Sequence, residues 1–162
     1  MALRNMVIEG DERLSKVCRP VTVINDHIVK LIEDMEETLA DQNGVGLAAP
    51  QVGVMRRIAI VDTGDGILDL IDPHILETEG SQTGVEGCLS CPDRWGVVTR
   101  PMKVTVRATN RKGECYTYTG EGLTARCICH ECDHLDGILF TQKAEHMLTP
   151  EEAKKYFNED RR

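Results

Sequence analysis

Positive charge is in short supply in this 162-residue chain: 19 lysines and arginines face 27 aspartates and glutamates, leaving a formal net charge of -8 and a pI near 5.1. That balance disfavours a long phosphate backbone as a ligand, because binding one takes a surplus of Lys and Arg. No direct DNA binding is expected. Long apolar runs are missing too. No segment approaches the roughly 20 residues that cross a bilayer, and the stretch holding Arg4, Glu9, Asp11 and Glu12 lacks the apolar core of a signal peptide. The expectation is a cytoplasmic protein with no membrane partner. Internal repeats, linkers and low-complexity tracts are absent as well. The length fits a single domain over residues 1–162, large enough to bury a core around a site. Cysteine alone is plentiful, but seven is an odd number, and without a secretory signal these read as reduced thiols, some of them candidate ligands.

What is present is organised around residues 129–137, Cys-His-Glu-Cys-Asp-His-Leu-Asp-Gly, which contain H-E-x-x-H. On an α-helix, side chains four apart lie one turn above each other, so His130 and His134 aim both imidazoles at one metal ion. Glu131 falls on the edge of that face, where a carboxylate serves as a base without ligating the metal. The stripe Leu123, Cys127, His130, His134 is spaced four, three, four and places the histidines on the face that packs on the sheets. Gly137 ends the helix.

The rest of the chain reads as scaffold. Asp26 is an N-cap signal for a helix over residues 27–42, with Ile28, Leu31, Ile32, Met35 and Leu39 as its apolar stripe, and Gly44 stops it. Residues 44–53 are too rich in glycine, alanine and proline for ordinary strand or helix and read as a close-approach loop. Gln51 is the only side chain in it that both donates and accepts hydrogen bonds. Strands are expected over residues 21–24, 57–62, 68–71, 97–98, 103–109 and 115–119, with Asp72-Pro73 closing the third, a loop over 80–87 and a hairpin turn at 111–113. Thr149-Pro150-Glu151-Glu152 is a capping signature for a short closing helix to about Asn158.

A catalytic site of this type takes three protein ligands, so one remains to be found. The metzincin extension requires histidine at position 140, which is Phe140. Glu151 and Glu152 belong to the capping signature. A thiolate is the remaining choice, and Cys88, in a loop between Gly87 and Leu89, is free to be presented, although spacing alone does not single it out. A rival frame pairs Cys88-x-x-Cys91 with Cys129-x-x-Cys132 as a four-thiolate site. On a helix, however, the midpoint of Cys129 and Cys132 lies about 150° round from that of the two histidines. A thioredoxin-like pair at Cys88 and Cys91 would open a helix, whereas Pro92 leads into strand-like residues. Cys18, Cys115, Cys127, Cys129 and Cys132 read as small core hydrophobes.

Three separated segments together resemble the peptide deformylases: Gly-Val-Gly-Leu-Ala-Ala-Pro-Gln at 44–51, Glu-Gly-Cys-Leu-Ser at 86–90 and His-Glu-Cys-Asp-His-Leu at 130–135. Their order and spacing agree as well. The family most often has Gln before the first His and Gly after the Pro of the second segment, where this chain has Cys129 and Asp93; neither is a ligand position. The resemblance implies an α+β fold, with small antiparallel or mixed sheets packed around a central metal-binding helix. It implies that Cys88, His130 and His134 bind one divalent ion, Fe2+ first, with Zn2+, Ni2+ or Co2+ able to replace it. The implied reaction removes the formyl group from N-formyl-methionyl nascent polypeptides. Glu131 would be the base and Gln51 and the Leu89 backbone N–H the oxyanion donors, while Gly46 pairs with the substrate backbone and Val45, Glu86, Leu123, Arg126 and Cys127 surround the methionine. A metallopeptidase and a non-catalytic metal-binding protein are the alternatives. Four charges of each sign in the tail, residues 149–162, imply at most weak ribosome contact.

Overall fold

The computed structural model describes residues 2–160. Helix α1 spans Asp26–Asp41, because Asn25 rather than Asp26 caps it: Asn25 Oδ1 accepts from Ile28 N at 3.1 Å. At its other end the left-handed residue is Asn43 (φ 54°), and Gly44 N returns to the Leu39 carbonyl at 3.1 Å. The strand expected over residues 21–24 does not form, and the nearest bridge joins Arg19 to Arg56.

Residues 44–53 are more regular than their composition predicts. They hold strand β1 (Gly46–Ala48) and a 3-10 turn (Ala49–Val52). Partner strand β2 (Ile58–Asp62) supplies the order, pairing Val61, Ile60 and Ala59 with Gly46, Leu47 and Ala48. Strand β3 (Ile67–Glu79) runs on through Asp72-Pro73 instead of stopping there. A register shift between Ile71 and His74 and a left-handed Asp72 (φ 54°) place Pro73 in a bulge, where no ladder donor is needed. The expected loop at 80–87 is instead strand β4 (Gln82–Cys88), paired with β5 (Cys91–Arg100). Strands β6 (Lys103–Thr109) and β7 (Cys115–Glu121) form the predicted hairpin. Then come α2 (Leu123–Leu135), α3 (Phe140–Lys143), β8 (His146–Met147) and α4 (Pro150–Asp160).

Two antiparallel sheets result, one ordered β1-β2-β3-β6-β7 and one ordered β4-β5-β8, giving the α+β architecture that the resemblance implies. Strand β2 explains the layering. Ile58 and Ile60 pack with Leu31, Ile32, Met35 and Leu39 of α1, while Ala59 and Val61 pack with Ala125, Ile128, Cys129 and Cys132 of α2. A strand buried on both faces reads as a continuous apolar run, as β2 does. Helix α2 is central: 10 of its 13 residues are buried. The capping signature forms as read, with Glu152 N donating to Thr149 Oγ1 at 3.1 Å and Thr149 N to Glu152 Oε1 at 3.0 Å. Arg161 and Arg162, counted in the tail charge, lie outside the described residues. No helix among the described residues is long and apolar enough to cross a membrane.

Ile32 and Met35 are both fully buried between α1 and the five-stranded sheet. Ile32→Ala should therefore lower the unfolding free energy by about 2–5 kcal/mol, the range for a large core truncation. Urea titration checks this, and a loss below about 1 kcal/mol would contradict the layering.

Candidate active site

Helix α2 sets His130 and His134 one turn apart with their rings 4.9 Å centre to centre, and Cys88, the last residue of β4, meets them from the smaller sheet. Cys88 Sγ lies 3.2 Å from His134 Nε2, and the ligand atoms of the three residues all fall within 4.8 Å of one another. Cys129 and Cys132 point the other way, into the core against β2, so the four-thiolate frame is not assembled. Phe140 stacks on His130 at 6.2 Å. Glu152 is engaged in the cap of α4, bonded to Thr149 and to His146. Among the cysteines expected in the core, Cys18, Cys127, Cys129 and Cys132 are buried, but Cys115 is exposed at the start of β7.

Glu86 organises the charges. Its carboxylate accepts from His130 Nδ1 at 2.6 Å, Arg126 Nη1 at 2.6 Å, Arg100 Nη2 at 2.7 Å and Arg100 Nε at 3.2 Å, and Arg100 Nη1 continues to Asp133 Oδ2 at 2.6 Å. Burial alone would raise the Glu86 pKa, but the His130 and Arg100 hydrogen bonds hold it at about 2. Burial works against charge on His130 as well, yet the Glu86 bond and the Glu131 and Glu86 carboxylates raise its pKa above the ordinary value. With Nδ1 donating to Glu86, Nε2 is the nitrogen left to bind a metal. Burial and the neighbouring His130 push His134 well below the ordinary histidine value, so it is a neutral imidazole.

Glu131 lies behind Gly46. A Cβ on Gly46 would stand 3.0 Å from Glu131 Cδ and closer still to its Oε2, so only glycine admits the carboxylate there. Burial pushes the Glu131 carboxyl up to about 7, and its Oε1 is buried with no partner among the described residues. Such an oxygen costs free energy unless a donor reaches it, and a water or a substrate amide is such a donor. Gln51 is oriented from both ends: Oε1 accepts from Ala48 N at 2.9 Å, and Nε2 donates to Ser90 Oγ at 3.1 Å and lies 3.5 Å from Cys88 Sγ. One amide hydrogen is therefore taken by Ser90, and the other faces the cluster on its Cys88 side. The N-terminal segment straps this corner, with Val7 N bonded to Gln51 O at 2.7 Å and Glu9 N to Ser90 O at 2.8 Å.

A cavity of about 450 Å³ opens over these groups. Its walls include Gly46, Val45, Gln51, Glu86, Cys88, Leu89, Leu123, Arg126, Cys127, His130 and Glu131, so every expected site residue except the deeper His134 borders it. Two differ in what their ends do: the charged groups of Glu86 and Arg126 are bonded to each other rather than aimed at a ligand. Sequence reasoning missed Arg100, Asp133, Ser90 and Trp95. The alternation of Gly96, Val98 and Arg100 along β5, with Val98 and Arg100 buried, was the signal that could have exposed the buried arginine. Asp133, one turn from His130 on α2, could have suggested its partner.

The donor set fits one divalent ion, since a thiol and two imidazoles converge, with Glu86 engaging His130 at Nδ1 and burial keeping His134 neutral. The Cys91 thiol and burial both push the Cys88 thiol up, a bias that a coordinated cation reverses.

Comparison with known proteins agrees with this geometry. The chain matches the model of the Polypeptide deformylase family over residues 3–149. It is 51% identical to a peptide deformylase of Agathobacter rectalis over 158 residues, 96% of this chain and 100% of the relative. The crystal structure of peptide deformylase from Thermotoga maritima superposes with a TM-score of 0.87 at 37% identity, covering 90% of this chain and 99% of that one. A Met-Ala-Ser-bound class I type b peptide deformylase of Acinetobacter baumannii superposes with a TM-score of 0.82 at 33% identity, covering 88% of this chain and 98% of the other. With the family matched over most of the chain and half-buried Cys88 meeting the buried His130 and His134 beside Glu131, the chain belongs to the polypeptide deformylase family.

Proposed function

We propose that this protein hydrolyses the formyl group from the N-terminal formyl-methionine of newly made polypeptides, with Cys88, His130 and His134 holding one divalent ion, Fe2+ first and Zn2+, Ni2+ or Co2+ as substitutes. The observation that carries the reading is Glu131: a buried carboxyl whose Oε1 has no partner among the described residues, beside the Cys88, His130 and His134 cluster at a cavity wall. When bound, the ion supplies Lewis acidity, which lowers the pKa of water toward neutrality and polarises a carbonyl. Glu131 takes the proton from the attacking water and returns it to the leaving amine as the C–N bond breaks, so that formamide and water become formate and free amine. Gln51 Nε2, joined by the Leu89 N–H, donates to the oxygen of the formyl group as charge develops on it.

Binding follows from the two sheet edges. Strand β1 ends the five-stranded sheet and β4 ends the three-stranded one, and both border the cavity. Gly46 on β1 pairs with the substrate backbone as an added strand would, a mode that tolerates varied sequences after the methionine. Val45, Leu123 and Cys127 offer apolar surface to the methionine side chain. The Acinetobacter baumannii neighbour has Met-Ala-Ser bound, a peptide that begins with methionine, and this favours the same substrate class here. The balanced tail charge makes any ribosome contact weak.

Purified protein loaded with metal under anaerobic conditions should release formate from formyl-Met-Ala-Ser. Glu131→Gln should keep its metal but lose at least ~10²-fold in turnover, the range for a removed general base. Free amino acids in place of formate would mark a metallopeptidase, and no product a binding protein. Metal analysis gives an independent check: Cys88→Ser should lose most bound metal, whereas Cys132→Ser should retain it. The opposite pattern would overturn the ligand assignment.

A further inference from the structure

The chemistry above makes no use of a second sulfur at the cavity. Cys91 opens β5 across from Cys88, which closes β4: the two are register partners in the antiparallel pair, joined by the turn Leu89-Ser90. Facing residues in such a pair send their side chains to one side of the sheet, with Cβ atoms roughly 4.5–5.5 Å apart. Their Cα atoms are spaced about 4.5–5.5 Å as well, inside the window that a disulfide bridges. The two thiols are close enough to hydrogen-bond. Both border the cavity but differ in depth: Cys88 is half-buried, whereas Cys91 is 2% exposed and packs with Val98 and Phe140. The turn between them is fixed from outside, Glu9 N donating to Ser90 O at 2.8 Å and Gln51 Nε2 to Ser90 Oγ at 3.1 Å. Joining the sulfurs therefore takes rotation of two side chains and no rearrangement of the backbone.

We propose that Cys88 and Cys91 form an oxidation site for hydroperoxides, in which a reversible disulfide between them withdraws Cys88 from the cluster and releases the ion; this rests on the assignment of Cys88 as a ligand above. Cys88, the more exposed of the two, meets the peroxide first. Its sulfur takes the terminal oxygen as the O–O bond breaks, giving a sulfenic acid and an alcohol, or water from hydrogen peroxide. In the loaded chain the ion stands in place of the Cys88 thiol proton, and solvent supplies that proton as the ion departs. The Cys91 sulfur then attacks the sulfenic sulfur, the S–O bond breaks, and the hydroxyl leaves with the Cys91 proton as water. The two sulfurs together lose two electrons and the peroxide gains them. A metal is held by a thiolate, which the disulfide no longer offers, so only His130 and His134 remain. A thiol reductant reopens the bond by exchange, becoming a disulfide itself. Where a sulfenic acid meets no second thiol it goes on to sulfinic and sulfonic acids, which thiols do not reduce.

The test uses the full chain loaded with Zn2+, which has no redox chemistry of its own, and hydrogen peroxide as the oxidant. Peroxide should lower the mass of the chain by two hydrogens, close Cys88 and Cys91 to iodoacetamide, and release the zinc in step, as read by a colorimetric chelator. Dithiothreitol should reverse all three. Cys91→Ala should bind zinc as the unmodified chain does, but peroxide should then add oxygen at Cys88, and dithiothreitol should not restore the zinc. Oxygen added at Cys88 of the unmodified chain with Cys91 still open to alkylation would overturn the proposal. So would a disulfide from Cys88 to another cysteine such as Cys127, or full recovery of zinc binding by oxidised Cys91→Ala. A chain that takes up no zinc before peroxide is added would instead overturn the ligand assignment, and the mass and alkylation pattern would still decide whether the two sulfurs join. Zinc retained after the disulfide has formed would overturn the ligand assignment and, with it, the release. If Cys91→Ala does not fold, the mass, alkylation and zinc release of the unmodified chain decide.

Discussion

The buried carboxylate of Glu86 is the constraint on which the rest of the site depends. It sits on β4 two residues before Cys88 and accepts from His130 and Arg126 on α2 and from Arg100 on β5. One side chain thus ties the strand of Cys88 to the helix of His130 and His134. Burying a charge is expensive unless its partners are in place, and removing one member of such a set typically costs about 3–5 kcal/mol because the others are left uncompensated. Here the set does more than hold the fold. By accepting the Nδ1 proton of His130, Glu86 fixes which nitrogen faces the cluster.

A second constraint is the placing of α2 between two sheets. Its Ile128, Cys129 and Cys132 face pack on β2, which leaves His130 and His134 to face β4. The candidate site therefore forms at a seam, with Cys88 from the smaller sheet and His130 and His134 from the helix. The larger sheet approaches the same seam through its edge strand β1, and there Gly46 is required because the Glu131 carboxylate occupies the space of a side chain. Two open strand edges beside the buried Glu131 carboxyl suit an extended peptide better than a compact small molecule.

Much of this was legible in the sequence, for identifiable reasons. Local periodicity exposed α1 and α2, and H-E-x-x-H is a local pattern, so His130, His134 and Glu131 could be singled out directly as candidate ligands and base. Cys88 could not be derived from spacing, because it comes from another sheet. It emerged only through the resemblance of three segments taken together. Strand β4 went unread because Gln82, Thr83, Gly84, Val85, Glu86 and Gly87 carry no clean alternation, and their strand form comes from pairing with β5. Strand β1 was hidden by its glycine and alanine content, which the neighbouring β2 overrides. Asp72-Pro73 looked like a terminator, but the bulge absorbs it. Glu86 borders the cavity, but the direction of its carboxylate depends on Arg100, a residue that no local pattern connects to it.

By holding Nδ1 of His130, Glu86 turns Nε2 toward the cluster, and Co2+ affinity measured by chelator competition reads that role. Glu86→Gln should weaken Co2+ binding about 10–100-fold, the usual cost of removing a partner behind a histidine ligand. The thiolate-to-cobalt absorption from Cys88 should persist in the protein that is loaded. Unchanged Co2+ affinity in a folded Glu86→Gln protein would contradict the account.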